Sequence, residues 1–324
     1  MNILQAINQT LAQQMEKNEN IVVYGEDVGF EGGVFRTTAG LQKQFGEDRV
    51  FDSPIAEAAI VGSAIGMAIN GLVPIVEMQF SGFMFPGYNQ IVTHAARYRN
   101  RSRGKYNLPM VIRMPYGGGI RALEHHSESL ETLFAHIPGL KLVIPSTPYD
   151  AKGLLTAAIQ DPDPVIFFEP KRIYRAFKQE VPEEEYTIPI GKAKVVKKGT
   201  DVTVVAWGAL VREVQKAIED LEKENISVEL IDLRTIAPLD ENTILESVKK
   251  TGRFLVVHEA VKSFGPAAEL ITMVNEKAFY HLEAAPARLT GFDITVPLPK
   301  GEHHFMIDPK RIAYEIKKVL HEKP

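Results

Sequence analysis

Short β-branched runs alternate with stretches of helical period along almost the whole chain. In the first half the runs fall at residues 21–24, 73–77, 109–113, 141–144 and 164–168, with helical periods near 3–18, 56–70, 86–100 and 149–160 between them. Strands apolar on both faces need helices packed above and below, so the pattern predicts an α/β fold with mostly parallel sheets. A proline- and acid-rich stretch from Val181-Pro182-Glu183-Glu184-Glu185 to Ile188-Pro189 reads as a solvated linker. Beyond it the strand signals resume at 201–208, 228–232 and 254–258. The expectation is two open, mostly parallel-sheet domains, residues 1–185 and 186–324. A length of 324 residues gives each of them enough chain for its own core.

Several function classes drop out at once. The net charge of -4 supplies no basic field for nucleic acid. The chain has no cysteine, which excludes disulfides, thiolate nucleophiles and Cys-based metal sites, and fits a reducing compartment. The N-terminus, Met1-Asn2-Ile3-Leu4-Gln5-Ala6-Ile7, runs straight into an amphipathic helix and does not read as a signal peptide. No apolar run reaches the ~18 residues that a membrane span needs. The expected location is cytoplasmic, with no membrane partner. There is no Gly-x-Gly-x-x-Gly after the first strand, no phosphate-binding Gly-x-x-x-x-Gly-Lys-Ser/Thr loop, no Gly-x-Ser-x-Gly elbow and no zinc helix. Gly117-Gly118-Gly119 is glycine-rich, but nothing marks it as a phosphate cradle on a helix N-terminus.

Glu57 stands out against this background. It opens a helix, Ser53-Pro54-Ile55-Ala56-Glu57-Ala58-Ala59-Ile60-Val61-Gly62, that is otherwise almost wholly small and apolar. A carboxylate there loses water without a local cation, so it shifts its pKa upward or finds a specific partner. Such a group is suited to proton transfer. The plainer reading is a first-turn Glu stabilised by the helix dipole. Gly62, Gly66, Ala68 and Gly71 leave one face of the same helix without bulk, which points to close packing at a buried subunit interface.

Four motifs follow strands or open helices: Gly25-Glu26-Asp27-Val28-Gly29, Ser53-Pro54-Ile55-Ala56-Glu57, Glu77-Met78-Gln79-Phe80-Ser81-Gly82-Phe83 and Glu124-His125-His126-Ser127. These are the places where α/β folds build their sites. Together the motifs resemble the β subunit of the E1 component of 2-oxo acid dehydrogenase complexes, which are thiamine-diphosphate-dependent decarboxylases of transketolase-like fold. The resemblance runs end to end, through Pro138-Gly139-Leu140-Lys141, Pro145-Ser146-Thr147-Pro148, Phe168-Glu169-Pro170-Lys171 and Ile231-Asp232-Leu233-Arg234-Thr235.

The resemblance implies specific roles. Glu57 would hydrogen-bond the pyrimidine ring nitrogen of thiamine diphosphate and share a proton with it, with Ile55, Gln79 and Phe83 beside the ring. His126 would move protons around the substrate or the acyl group on its way to a lipoyl group. Simple core packing is the alternative for Phe83. A structural histidine is the alternative for His126, where the doublet His125-His126 leaves the register open by one. The diphosphate and its Mg2+ would be held by an α subunit in an α2β2 heterotetramer, and the product passed to an E2 lipoyl acyltransferase core. Ala158, Ile159, Asp161 and Asp163 fall where the family binds a monovalent cation such as K+, although Asp163 replaces an expected amide and the segment is otherwise a plain turn.

Phe167-Phe168-Glu169-Pro170-Lys171-Arg172-Ile173-Tyr174-Arg175-Ala176, Val204-Val205-Ala206-Trp207-Gly208 and Arg288-Leu289-Thr290-Gly291-Phe292-Asp293 resemble the branched-chain members, so a branched-chain 2-oxo acid is the expected substrate and pyruvate, or a broad range, the alternative. The segment Ile294-Thr295-Val296-Pro297-Leu298-Pro299-Lys300-Gly301-Glu302-His303-His304 departs from the family pattern. The residues Arg97, Arg99, Arg101, Arg103 and Lys105 read as a solvated basic face, or else a dock for an acidic partner. Two other function classes stay in play: a non-catalytic assembly subunit, and a self-sufficient thiamine enzyme, for which 324 residues are too few.

Overall fold

The computed structural model describes residues 1–321. Its strands are β1 (Ile21–Gly25), β2 (Val50–Asp52), β3 (Val73–Glu77), β4 (Val111–Tyr116), β5 (Lys141–Val143), β6 (Val165–Pro170), β7 (Lys194–Lys197), β8 (Val202–Ala206), β9 (Val228–Asp232), β10 (Thr235–Ala237), β11 (Phe254–Val257) and β12 (Ala287–Leu289). They form a seven-stranded sheet ordered β10-β5-β6-β4-β3-β1-β2 and a five-stranded sheet ordered β12-β11-β8-β9-β7. All neighbours are parallel except β10 on β5 and β7 on β9. The fold is therefore α/β with two mostly parallel sheets, as expected. No described helix is long and apolar enough to cross a membrane.

Residues alternate between the two faces of a strand. Ile21, Val23, Ile75, Val111 and Phe167 pack beneath the helices Ile3–Lys17 and Pro148–Ile159. Val22, Tyr24, Val76, Ile112 and Phe168 pack on the other side, against the helix Glu57–Ile69 and its neighbours. That second apolar layer continues through Val205, Trp207, Ile231 and Leu233 into the second sheet, so the two halves share a core. β10 strengthens the junction: it lies in the second half of the chain yet pairs with β5 at the edge of the first sheet.

Three expectations need correction. The 181–189 stretch is irregular but not a free linker. Val181 and Ile188 are buried, Lys152 Nζ donates to the carbonyls of Pro182 and Glu183, and the Tyr186 ring stacks on Tyr149 with centroids 4.6 Å apart. Its acidic residues lie beside the cationic ends of Lys17 and Lys152, which the local composition could not show. The single helix expected over 86–100 is broken into Phe85–Gln90, a widened turn at Ile91–Ala95, and Tyr98–Arg101, which keeps Ile91, Ala95 and Ala96 buried. The run at 109–113 becomes β4, shifted to Val111–Tyr116, because Tyr116 pairs with Pro170 at the far end of β6.

Candidate functional site

The C-terminal ends of β1, β3, β4 and β6 lie side by side, and the loops that leave them carry the site. This is the edge at which open α/β sheets bind ligands. Gly25 ends β1 against the carbonyl of Glu77, where an added Cβ would sit only 2.5 Å from that oxygen. The short turn Ser81–Phe83 follows β3, and a loop ending in the turn Glu124–His126 follows β4. Gly82 has no room for a side chain, because its Cα presses on the carbonyl of His125. That contact brings Phe83 and His126 together: their rings meet edge to face at 4.9 Å, and Phe80 meets His126 at 4.5 Å.

The two rings of the histidine doublet are packed differently. His126 is the packed ring, half-buried, while His125 is exposed with its ring 6.5 Å from Phe83. The Nδ1 of His126 is buried without a hydrogen-bond partner among the described residues. Burial, then the nearby Lys171 ammonium and His125, push the imidazole below its ordinary pKa, with Glu124 opposing. His126 is thus held neutral at physiological pH, fit to accept or relay a proton.

Glu57 begins its helix at the N-terminus, after Ala56, which makes no side-chain cap. The helix starting at Phe85 packs so closely on it that a Cβ on Gly87 would lie 3.0 Å from the Glu57 carbonyl. Within the single chain Glu57 is half-buried rather than sheltered, Ala58 and Ala59 are exposed, and Ile55 is 84% exposed. Nothing lies within 4 Å of a Cβ on Gly62 or Gly66, so the bulk-free face of the helix is open here. Glu26 sits nearby; burial, then Glu57 and Asp27, raise its pKa. Gln79 does not stand alone: its amide donates to Asp27 Oδ2 at 2.9 Å.

Sequence reasoning missed the layer beneath. Glu77 and Arg113 are paired in register across β3 and β4. Arg113 is fully buried, 3.1 Å from Glu77 and 2.6 Å from Glu169, whose other oxygen accepts from the Tyr174 hydroxyl at 2.5 Å. Burial drives the Glu77 carboxyl up to about 7 against the opposing pull of Arg113. Lys171, 4% exposed, donates to the Gly117 carbonyl and lies over the Phe80 ring at 5.8 Å. Burial lowers its pKa to about 8, while Glu259, Glu302 and Glu128 hold it up. The signal was there: charged residues inside or directly after wholly apolar strand runs are retained only with partners.

The glycine loop is no phosphate cradle. Its amides are already taken: Gly118 donates to Glu259, Gly119 to Glu302 Oε1 at 2.7 Å and Arg121 to Glu302 Oε2 at 2.8 Å. Elsewhere, the carboxylates of Asp161 and Asp163 are engaged by Lys141 and Arg99, each at 2.6 Å, and the Ala158 carbonyl accepts from the Asp161 amide at 3.3 Å. Ala158 and Ile159 end their helix beside this pair, so a monovalent ion there would have only backbone carbonyls to use. Arg97, Arg101, Arg103 and Lys105 are exposed.

Comparison with known proteins agrees with this geometry. Residues 1–176 match the transketolase pyrimidine binding domain family and residues 191–312 the transketolase C-terminal domain family. The chain is 73% identical over 322 residues to the pyruvate dehydrogenase E1 component subunit beta of Acholeplasma laidlawii, covering 99% of this chain and 98% of that one. It is 49% identical over 320 residues to the Bacillus subtilis (strain 168) protein of the same name, covering 99% and 98%. A solved split gene transketolase, in an inactive beta4 tetramer, shares the fold with a TM-score of 0.82 over 100% of this chain and 99% of that one, at 20% identity.

Proposed function

The chain belongs to the E1 β family of the thiamine-diphosphate-dependent 2-oxo acid dehydrogenases, and we propose from this that it is the β subunit of a pyruvate dehydrogenase E1. It would work with an α subunit and deliver an acyl group to the lipoyl arm of an E2 core. The observation that carries the reading is the juxtaposition of His126 and Phe83 at the C-terminal edge of the first sheet. The substrate reading moves from the branched-chain acids expected above to pyruvate, the acid named in the relatives at 73% and 49% identity. Most of the cues that suggested branched chains are packing residues: Phe167 and Phe168 lie in the core of β6, Trp207 donates to Glu131, and Asp293 caps Ser263. Such residues track ancestry more than pocket size, and one or two methylenes discriminate by only about 1–3 kcal/mol in any case.

The residues present fit the pyrimidine end of thiamine diphosphate. A flat heterocycle finds aromatic edges in Phe83 and His126 and an unpartnered polar atom in His126 Nδ1. When bound, the cofactor supplies the electron sink that decarboxylation of a 2-oxo acid requires. Glu57 would share a proton with the ring, and Ile55 and Phe83, with the partner chain in place, would exclude water from it. Gln79, whose amide donates to Asp27, would help to orient the ring. His126, neutral and facing inward, moves a proton at the substrate or the acyl group. No described group of three or more His, Cys, Asp or Glu could hold a metal ion. On the family resemblance we assign Mg2+ and the diphosphate to the α subunit, and the exposed Ile55 and open helix face to the seam between them.

The test is reconstitution with the α subunit, followed by kcat/KM on pyruvate, 2-oxobutanoate and the branched-chain 2-oxo acids. Pyruvate should rank first. A branched-chain acid ranking first would overturn the substrate, and no turnover of any acid by a folded complex would favour the non-catalytic assembly role. Tight binding of thiamine diphosphate with Mg2+ by the isolated chain in calorimetry would overturn the division of labour.

A further inference from the structure

We infer that Glu302 and Glu259, from the second half of the chain, are positioning residues for the loop that carries His126; the catalytic consequence rests on the role proposed for His126. The loop runs from Gly117 to Glu128. Its base is closed from the first sheet, where the Gly117 amide donates to the Glu128 carbonyl at 2.9 Å and Lys171 reaches the Gly117 carbonyl. Past the base, Gly119 packs on the stem of Arg172 from the turn after β6, while the amides of Gly118, Gly119 and Arg121 turn to the second half of the chain. From the base at Gly117 (φ 80°) onward the chain takes positive φ again at Gly119 (89°) and Arg121 (58°), which turns neighbouring amides into a shallow concavity that attracts an anion. Two carboxylates from the other half fill it. Glu302 takes the amides of Gly119 and Arg121 with its two oxygens, and Glu259 takes Gly118 while holding Arg172 at 3.5 Å. Both carboxylates are buried, so each bond is made in a medium where it is stronger than in water.

Only four residues separate Arg121 from His126, and the last two of them form a tight turn with His126 itself. A loop pinned at both ends over so short a span cannot swing its imidazole freely. The arrangement also gives the unusual 294–304 segment a task, since Glu302 lies within it and begins the short helix Glu302–Phe305. Whatever moves that segment moves the His126 loop.

The experiment uses the full chain and its complex with the α subunit. Glu302→Ala and the near-isosteric Glu302→Gln are compared with the parent by backbone hydrogen exchange and by steady-state kinetics. A glutamine oxygen can accept one of the two amides while its NH2 group faces the other. The exchange of residues 117–128 should therefore speed up in the order parent, Gln, Ala, reaching at least tenfold in Ala, with β8 unchanged. The kcat should fall in the same order, and KM should move less. Unchanged exchange in both variants would overturn the inference, as would fast exchange with unaltered kcat. Should Glu302→Ala fail to fold, Glu302→Gln alone decides on the same readouts. If the parent complex turns over no 2-oxo acid, the functional reading falls, and the exchange measurement still decides whether Glu302 holds the loop.

Discussion

The rings of Phe83 and His126 meet edge to face, centroids 4.9 Å apart and planes 77° apart, at the mouth of the first sheet. The contact exists because Gly82 lets the His125 carbonyl approach, which presents His126 and not His125 to Phe83. His126→Asn in the reconstituted complex should reduce acyl transfer to lipoyl groups on the order of 10²–10⁴-fold, the usual contribution of a positioned acid–base group. His125→Asn, at an exposed ring, should stay within about threefold of the parent on the same scale. Equal losses in the two variants would mean that the pairing with Phe83 has no catalytic meaning.

Glu57 lies at a helix N-terminus and is half-buried, so replacing it removes little folding energy. Glu57→Gln keeps the shape and removes the proton exchange that the cofactor ring would need. Release of carbon dioxide from pyruvate should drop by at least about 100-fold, while the melting temperature stays close to the parent's, as for other substitutions away from the core. Normal turnover by this variant would sink the assignment.

The layers of the fold were legible because strand and helix periods are local properties, and the loops of the candidate site were legible because their motifs are contiguous. Gly25 to Gly29, Ser53 to Glu57, Glu77 to Phe83 and Glu124 to Ser127 each converge on one edge. What stayed hidden depends on register and distance. Arg113 meets Glu77 and Glu169 only because equal parity on three neighbouring strands points all of them to one face. Glu302 reaches the amides of Gly119 and Arg121 across more than 180 residues. β10 joins the first sheet from the second half of the chain, a pairing that no local pattern announces. The acidic stretch at 183–185 looked solvated because its cations, Lys17 and Lys152, lie elsewhere in sequence.

The buried Arg113 group makes a stability prediction. Removing the guanidinium leaves two carboxylates in an apolar layer with no counter-charge. Arg113→Met should cost about 3–5 kcal/mol in denaturant unfolding, as is typical when one partner of a buried ion pair is deleted. Adding Glu77→Gln and Glu169→Gln to it should recover much of that loss, because the charges disappear together. A triple variant less stable than the single one would show that the group is held by the bond the Tyr174 hydroxyl donates to Glu169 more than by charge balance.

Glu131 gives the pH dependence of folding a definite sign. Its carboxyl is fully buried beneath Trp207, which donates to it at 3.0 Å, and burial raises its pKa to about 7 despite that bond. The folded state therefore binds the proton more tightly than the unfolded one. The stability this provides is complete below the ordinary carboxylate range and is lost as pH climbs toward 7. His258, stacked on Trp207 and lowered to about 4 by burial, acts in the other direction: its neutral form is favoured, so stability falls as pH drops from the ordinary imidazole range, near 6.5, to about 4. Because the two windows overlap, Glu131→Gln should remove the falling contribution and leave thermal stability rising more steeply with pH from about 4 to 6.5, and no longer declining toward 7 on account of residue 131. An unchanged profile would remove Glu131 as its source.

Lys171 sets the charge that His126 faces. It comes from the turn after β6, with Phe80 between the two, while Glu124 and His125 act from the histidine's own loop. Burial is the larger cause of the lowered imidazole pKa, and the ammonium adds to it. Lys171→Met keeps the length of the stem and removes the cation, so the imidazole should protonate at higher pH. If the neutral form does the work, the acid limb of kcat/KM moves upward and the variant loses more activity at pH 6 than at pH 8. Lys171→Arg retains the charge and should leave that limb in place. The alkaline side carries its own signature: the Lys171 ammonium, lowered to about 8 by burial, loses its proton there in the parent, and any limb it produces should be missing from the Met variant. An acid limb that stays put or moves down in Lys171→Met would show that the ammonium serves the Gly117 carbonyl alone and that burial by itself keeps His126 neutral.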